Sequence, residues 1–184
     1  MENIFFDLSR LRFCGKNVII GKTVRIRYPE LVSIGDNCII DDFTYISTQL
    51  ELEGNVHISA GCKLIGGPKC KVTMKEFSTL SPNVVIAAGS DDYIGGIATP
   101  MVPEELKGDV EYGDVLIARH SIVGAGSVIL PQVTFGEGAA VGALSLVKHD
   151  LEPWSLYAGV PAVKLKERKK DQILAYEARL KQIR

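Results

Sequence analysis

Aliphatic residues recur every six positions along most of this 184-residue chain. Helices repeat near 3.6 residues and strands near two, so neither period alone explains a sustained spacing of six. A triangular coil explains it, with three short strands in each turn of roughly 18 residues. The in-phase positions are Ile20 and Ile26; Ile34, Ile40, Ile46, Leu52, Ile58, Leu64 and Cys70; Met74, Leu80 and Ile86; and Ile117, Val123, Ile129, Phe135, Val141 and Val147.

Small residues mostly lie four positions after the aliphatic one, where a coil corner must be tight. They are Cys38, Thr44, Cys62, Val84, Ser121, Ser127, Val133 and Ala139. Glycine often follows the aliphatic residue directly, as at Gly35, Gly124, Gly136 and Gly142. Three in-phase series make chance a poor explanation. The pattern therefore predicts one all-β domain, residues 1–184, with a parallel β-helix over residues 17–165.

The repeat breaks three times, and function in a solenoid tends to lie at such breaks. The largest break, residues 91–114, contains Gly95-Gly96 and two prolines; the smaller ones cover residues 27–30 and 66–71. Solenoid ends need covers because an open coil exposes pairing edges. We expect an N-terminal cap over residues 1–16, with a short helix at about 2–12. A C-terminal helix is expected within residues 166–184, most strongly from Glu167 to Gln182.

Composition narrows the function classes. A net charge of −1 argues against a protein that coats nucleic acid or membrane surfaces. No apolar run is long enough to span a membrane, and the N-terminus lacks signal-peptide features. The four cysteines are scattered, which favours reduced thiols and the cytoplasm. His57, His120 and His149 are too far apart in sequence to indicate the three convergent ligands of a zinc site, so we expect no metal.

The C-terminal third carries a family signature. The segments VGAGSVILPQVTFGEGAAVGALSLV and LEPWSLYAGVPAVKLK resemble the last coils and exit loop of the hexapeptide-repeat acyltransferases. The resemblance implies a left-handed β-helix, a homotrimer, and acetyl-CoA or another acyl-CoA bound between neighbouring subunits. It further implies pantetheine contacts at Gly124, Ala125, Gly142 and Ala143. Phosphate contacts would come from Lys148, Lys164, Lys166 and Arg168, although for any single lysine a solvated charged face is the favoured interpretation.

The resemblance also points to a candidate catalytic residue. Ser81-Pro82-Asn83-Val84 resembles a stretch of the galactoside and maltose acetyltransferases, and its spacing puts Asp91 where they keep a catalytic histidine. A carboxylate is a weak base for a hydroxyl but suffices to orient an amine and collect its proton. Asp92 is a second catalytic candidate. Asn83, Ser90 and Tyr93 are candidate substrate contacts. The alternative is that Ser90-Asp91-Asp92 is only a turn.

His120 is a further candidate base, and its alternative is a surface polar position of a hexad. The leading hypothesis is an acyl-CoA-dependent N-acyltransferase acting on a nucleotide-linked amino sugar for surface-polysaccharide (lipopolysaccharide or O-antigen) synthesis. A sugar O-acetyltransferase using His120 is the alternative. A non-catalytic trimeric scaffold and a metal-dependent lyase or hydratase, as in the γ-class carbonic anhydrases, rank lower.

Overall fold

A computed structural model describes residues 6–183, which form a left-handed β-helix of about seven turns with three flat faces. Parallel strands stack in register along each face, and one aliphatic residue of each strand points inward. Face one contains Phe13–Cys14, Val32–Ile34, Val115–Ile117 and Thr134–Phe135. Face two contains Ile19–Ile20, Ile39–Ile40, His57–Ile58, Thr79–Leu80, Ile122–Val123, Ala140–Val141 and Ser155–Ala158. Face three contains Arg25–Ile26, Val85–Ala87, Val128–Ile129 and Leu146–Val147.

Two longer strands, Tyr45–Leu52 and Lys63–Met74, run around the corner from face three to face one. Single-turn 3-10 helices occur at Leu8–Arg10, Pro29–Leu31 and Glu104–Leu106. A two-stranded antiparallel ribbon pairs Gly89–Ser90 with Glu111–Tyr112. The one α-helix of the described residues spans Lys170–Ile183.

The interior is the aliphatic ladder that the six-residue period predicts. The predicted inward residues are all buried, and so are the small residues four positions later. The third residue after each inward position usually adopts a positive φ, because the chain turns sharply there to reach the next face. These corner residues include Asn37, Phe43, Asn55, Phe77, Asn83, His120, Gln132, Leu144 and Trp154.

The prediction for Cys70 is corrected. Its side chain is buried, but the strand partner of Leu52 is Met74, so Met74 holds the ladder position. Residues 66–71 are an insertion in the corner, and Cys70 lies within it. Its carbonyl accepts a 2.5 Å hydrogen bond from the Thr48 hydroxyl, which fixes the insertion against the neighbouring coil.

All three breaks in the repeat leave face three and return to face one. They follow Ile26, Leu64 and Ile86, which are face-three positions in register with one another through Ile46. Insertions therefore accumulate at one corner of the prism, which we call the insertion corner. The other two corners keep the six-residue spacing.

The two caps differ from the predicted ones. Within the described residues 6–16 the N-terminal cap contains only the 3-10 turn and the first strand, and the part of the predicted helix at 2–5 lies outside them. The C-terminal helix begins at Lys170 rather than at 166 or 167. Residues Val163–Glu167 instead form a strand that pairs antiparallel with Ser155–Ala158 at the edge of face two.

Candidate active site

The long loop and the insertion corner enclose a pocket of about 470 Å³. The coil side is formed by Ser47, Ile65 and the Gly66-Gly67 pair, and the loop side by Pro100, Lys107, Val110 and Tyr112. Gly67 has a φ of +77°, a conformation that glycine adopts without strain, so it permits the turn at this corner. Gly89, Ser90 and Asp91, where the loop begins, complete the lining. This volume is typical of small-molecule sites.

Asp91 is exposed at the rim of this pocket, with Ser90 beside it. Ser90, Asp91, Asp92 and Tyr93 together line a second, smaller recess of about 200 Å³, and Tyr93 is 90% exposed. The structure thus brings together four of the predicted site residues. Asp91 makes no side-chain hydrogen bond or ion pair with any of the described residues, which leaves its carboxylate available to a ligand.

The environment of Asp92 differs from that of Asp91. Its carboxylate accepts hydrogen bonds from the backbone N–H groups of Ile94, Gly95 and Asp109. These bonds lower the pKa of Asp92 and tie the two ends of the loop together. Its oxygens are committed to backbone donors, so Asp92 holds the loop, whereas Asp91 is the carboxylate of this pair that is left open to a ligand.

Asn83 lies away from this pocket, at the corner between faces two and three. Its Oδ1 atom covers Gly61 of the preceding coil. The same corner carries the predicted acyl-CoA contacts, so we call it the groove corner. In successive coils Ser81, Gly124 and Gly142 occupy equivalent positions, each one residue after an inward strand residue.

The glycines of the groove corner have a structural reason. A Cβ on Gly124 would lie 2.4 Å from the backbone nitrogen of Ala143, and a Cβ on Gly142 would lie 3.0 Å from the Cβ of Ala158. Coil stacking therefore requires small residues here whether or not a ligand passes. The backbone N–H groups of Ala125 and Ala143 have no hydrogen-bond partner within residues 6–183, and they remain available as donors.

The predicted phosphate contacts lie near the C-terminal end of the coil. Lys148 and Lys166 are exposed. Lys164 pairs with Glu152 and Glu167 at 2.6 and 2.7 Å, and these contacts raise its pKa. Arg168 donates to the carbonyls of His120 and Gly138, so its guanidinium holds the chain that leads into the helix.

His120 fits neither sequence interpretation. Its ring is buried, stacks on Phe77 at 5.3 Å between ring centres, and lies 5.9 Å from the Trp154 ring. Its Nε2 atom is 2.9 Å from a carboxylate oxygen of Glu177 in the C-terminal helix. Since it faces the corner between faces one and two, His120 is a packing and helix-docking residue, remote from both the pocket and the groove corner.

Comparison with known proteins decides the family. A dTDP-4-amino-4,6-dideoxy-D-glucose acyltransferase of Escherichia coli is 37% identical over 160 residues, covering 85% of this chain and 82% of the relative. This chain belongs to the dTDP-amino-sugar branch of the hexapeptide-repeat acyltransferases. The acyltransferase uses acyl-CoA as its acyl donor.

Solved structures agree with that assignment. AntD, an N-acyltransferase from Bacillus cereus in complex with dTDP and 3-hydroxybutyryl-CoA, superposes with a TM-score of 0.91 at 36% identity over 99% of both chains. A maltose O-acetyltransferase from Clostridium difficile 630 has a TM-score of 0.59 at 22% identity, over 88% of this chain and 73% of its own, which shows a shared fold. No protein-family model matches the acyltransferase.

Two further findings concern metals and membranes. Within residues 6–183 no group of three or more His, Cys, Asp or Glu side chains is arranged to hold a metal ion. None of the helices in that range is long and apolar enough to cross a membrane.

Three residues at these sites escaped the sequence reasoning. Ser81 lies in the Ser-Pro-Asn stretch and belongs to no motif of its own, although the six-residue period places it at the same coil position as Gly124. Ser47 and Lys107 line the pocket without belonging to any motif. Their roles depend on how the loop folds over the corner, which the repeat does not determine.

Proposed function

We propose that this enzyme transfers an acyl group from acyl-CoA to the amino group of a dTDP-linked amino sugar, with dTDP-4-amino-4,6-dideoxyglucose as the first candidate acceptor. The observation that carries the proposal is an uncommitted carboxylate, Asp91, at the rim of a pocket of ligand size. The activity of the Escherichia coli relative and the AntD complex with that same amino sugar support this acceptor class.

The relative AntD offers a second line of support. Its solved forms include substitutions of a serine and of an aspartate ten residues further along its chain. Ser81 and Asp91 have the same residue types and the same spacing here. Since the two chains align over nearly their whole length, we assign Ser81 and Asp91 to the corresponding positions.

The reaction needs an unprotonated amine. The neutral amine attacks the thioester carbonyl carbon, a C–N bond forms, and the carbonyl electrons move to oxygen. The attacking nitrogen becomes acidic, and the Asp91 carboxylate takes its proton. The C–S bond then breaks, the CoA thiolate leaves and takes up a proton, and an amide remains. A carboxylate suffices as the base because the ammonium of the tetrahedral intermediate is far more acidic than that of a free amine.

The groove corner supplies hydrogen-bond donors for the acyl-CoA side of the reaction. The Ser81 hydroxyl and the free N–H groups of Ala125 and Ala143 can hydrogen-bond the donor's amide and the oxyanion that develops on the thioester. These groups belong to rigid coil corners, so little reorganisation accompanies the reaction. In this proposal the groove corner binds the acyl donor, and the pocket at the insertion corner binds the acceptor.

The two parts lie at opposite corners of face three in a single chain. The strand between Asn83 and Ala88 is on the order of 16 Å long at about 3.3 Å per residue. A site that contains both Ser81 and Asp91 therefore needs the groove corner of one copy and the insertion corner of another. We propose a homotrimer with active sites between subunits, as in the resembling acyltransferases.

The cysteines and the proposed substrates both bear on the cellular setting. We propose a cytoplasmic enzyme, because all four cysteines are free thiols and reduced thiols are typical of that compartment. Nucleotide-linked sugars are activated donors for glycan assembly. We therefore propose that the acylated product serves surface-polysaccharide synthesis, including lipopolysaccharide or O-antigen.

The direct test is CoA release from acetyl-CoA and 3-hydroxybutyryl-CoA with a panel of dTDP-linked sugars. We expect turnover with 4-amino sugars and none with the matching 4-hydroxy sugars. Asp91→Asn should lower kcat by 100-fold or more, in the usual range for general-base loss. The control Glu105→Gln changes an exposed loop carboxylate and should leave the rate intact. If well-folded protein releases no CoA with any sugar of the panel, the proposal is refuted.

The assembly has its own test. Light scattering coupled to size exclusion should give a mass of about 60 kDa, three times the 20.0 kDa of one chain. Mixing an inactive Ser81→Ala copy with an inactive Asp91→Asn copy under subunit exchange should restore part of the activity. A 20.0 kDa species, or no complementation in exchanged oligomers, argues against a shared site.

A further inference from the structure

Ser47 is a buried polar side chain that faces the large pocket. It follows Ile46 in an extended strand, and Ile46 points into the prism, so Ser47 points outward to the insertion corner. The residue is only 9% exposed and lines the pocket. Its hydroxyl has no hydrogen-bond partner within the described part of the chain, residues 6–183. Buried hydroxyls are nearly always hydrogen-bonded in native proteins, which indicates a partner outside the chain.

Lys107 lies across the pocket from Ser47. Its side chain is 15% exposed and forms an ion pair with Glu104, whose side chain is 71% exposed. A lysine ammonium has three donors, and this pair uses one of them. The pKa of Lys107 is raised, chiefly by its hydrogen bond to Glu104 and in part by the charges of Glu104 and Asp91. Lys107 therefore remains cationic within the loop.

We propose that this pocket holds the hexose and the adjoining phosphate of the acceptor, with Ser47 hydrogen-bonded to a sugar hydroxyl and Lys107 paired with the phosphate. The inference rests on the proposed function, because it names where the acceptor of that reaction lies. It adds two residues that select the substrate, and it places both within one copy of the chain.

The charges of the pocket match the two ends of such an acceptor. A nucleotide-linked amino sugar carries an amine on the hexose and a diphosphate at its anomeric carbon. Asp91 at the rim suits the amine, and Lys107 suits the phosphate. The neutral hydroxyl of Ser47 on the coil side matches the uncharged ring. A free amino sugar without phosphate lacks the partner of Lys107, so we expect it to be a poor acceptor.

Ser47→Ala tests the hydroxyl contact. The variant should raise KM for the acceptor about fivefold to tenfold, the effect of one neutral hydrogen bond, and leave KM for acyl-CoA unchanged. Its Tm should equal or exceed that of the wild type, because no intramolecular bond is lost. An unchanged acceptor KM, or a lowered Tm with both KM values altered equally, would overturn the assignment of Ser47.

Lys107→Met tests the phosphate contact, with Glu104→Gln as its matched control. We expect Lys107→Met to weaken dTDP binding by tenfold or more in isothermal titration. Glu104→Gln breaks the same ion pair but keeps the cation, so it should bind dTDP as tightly as the wild type. If both variants bind equally weakly, Lys107 only holds the loop and the inference is wrong.

The binding measurements separate this inference from the proposed function. An enzyme that acylates amino sugars while Ser47→Ala and Lys107→Met behave as wild type would keep the function and reject the pocket assignment. A wild-type chain that acylates nothing, yet binds dTDP in a Lys107-dependent way, would keep the pocket and reject the reaction.

Discussion

The substitution Glu177→Gln tests how the C-terminal helix is held to the solenoid. Glu177 is the one buried carboxylate of that helix, with its side chain 7% exposed. It accepts hydrogen bonds from Arg119, His120 and Lys181. Glutamine has nearly the same shape and removes only the charge, so the variant isolates the electrostatic part of helix docking.

The expected loss of stability in Glu177→Gln follows from the pKa of Glu177. Burial alone would raise it, but hydrogen bonds from Lys181 and His120 and the charge of Arg119 outweigh burial and hold the pKa at about 2, against an ordinary 4.5. At 1.36 kcal/mol per unit this corresponds to about 3 kcal/mol of stability. The partial exposure of Arg119 and Lys181 screens the charges, so we expect about 2 kcal/mol.

The pH dependence has a definite sign. A lowered pKa in the folded state stabilises the protein above pH 4.5, where the unfolded carboxylate is ionised, and the gain is lost as the pH falls toward 2. Urea unfolding at several pH values should therefore show that the free energy of unfolding of Glu177→Gln is about 2 kcal/mol below that of the wild type at pH 7. This gap should shrink by more than half at about pH 3. A gap below about 0.5 kcal/mol at pH 7, or one that does not narrow in acid, refutes the reasoning.

Three further predictions concern other parts of the fold. Gly138→Ala should lower the free energy of unfolding by about 2 kcal/mol and change the fluorescence of Trp154. The added Cβ would lie 2.4 Å from the Trp154 ring, at a residue whose φ is +71°; unaltered stability would contradict this. Iodoacetamide at mild alkaline pH should label Cys14 before Cys62, since desolvation raises the pKa of the buried Cys62 thiol to about 11; equal rates by peptide mass spectrometry would be inconsistent. Asp92→Ala should speed limited proteolysis within residues 91–114 by about tenfold with little change in Tm, because three backbone bonds are lost outside the solenoid; an unchanged cleavage rate would speak against that role.

The architecture could be predicted because it depends on one feature of the sequence, the six-residue spacing of the inward-facing side chains. Each inward position must be apolar and each tight corner small, so a count of residues finds both, as Ile34 and Cys38 show. The count fails where a corner insertion contains its own buried residue. Cys70 keeps the period by coincidence, and only the pairing of Leu52 with Met74 reveals the insertion.

The site could be predicted only in part, for a physical reason. Asp91 as the candidate base comes from a resemblance in spacing and stays a prediction; the structure adds that it lines the pocket. Ser47 gives no signal in the sequence, because a serine in a strand becomes informative only once its burial and lack of partners are known. The burial of His120 could not be predicted, because its partner Glu177 lies 57 residues away on a helix whose path the repeat does not specify.

The helix Lys170–Ile183 runs back along the corner between faces one and two, over Trp154 in the last coil and then His120 and Phe77 in earlier ones. A ribosome therefore releases the middle coils well before it makes the segment that covers them. Until then the Phe77 and His120 rings are exposed to solvent as an aromatic seam. Chains halted before Lys170 should bind chaperones and hydrophobic dyes along that seam, whereas chains that include Lys170–Ile183 cover it.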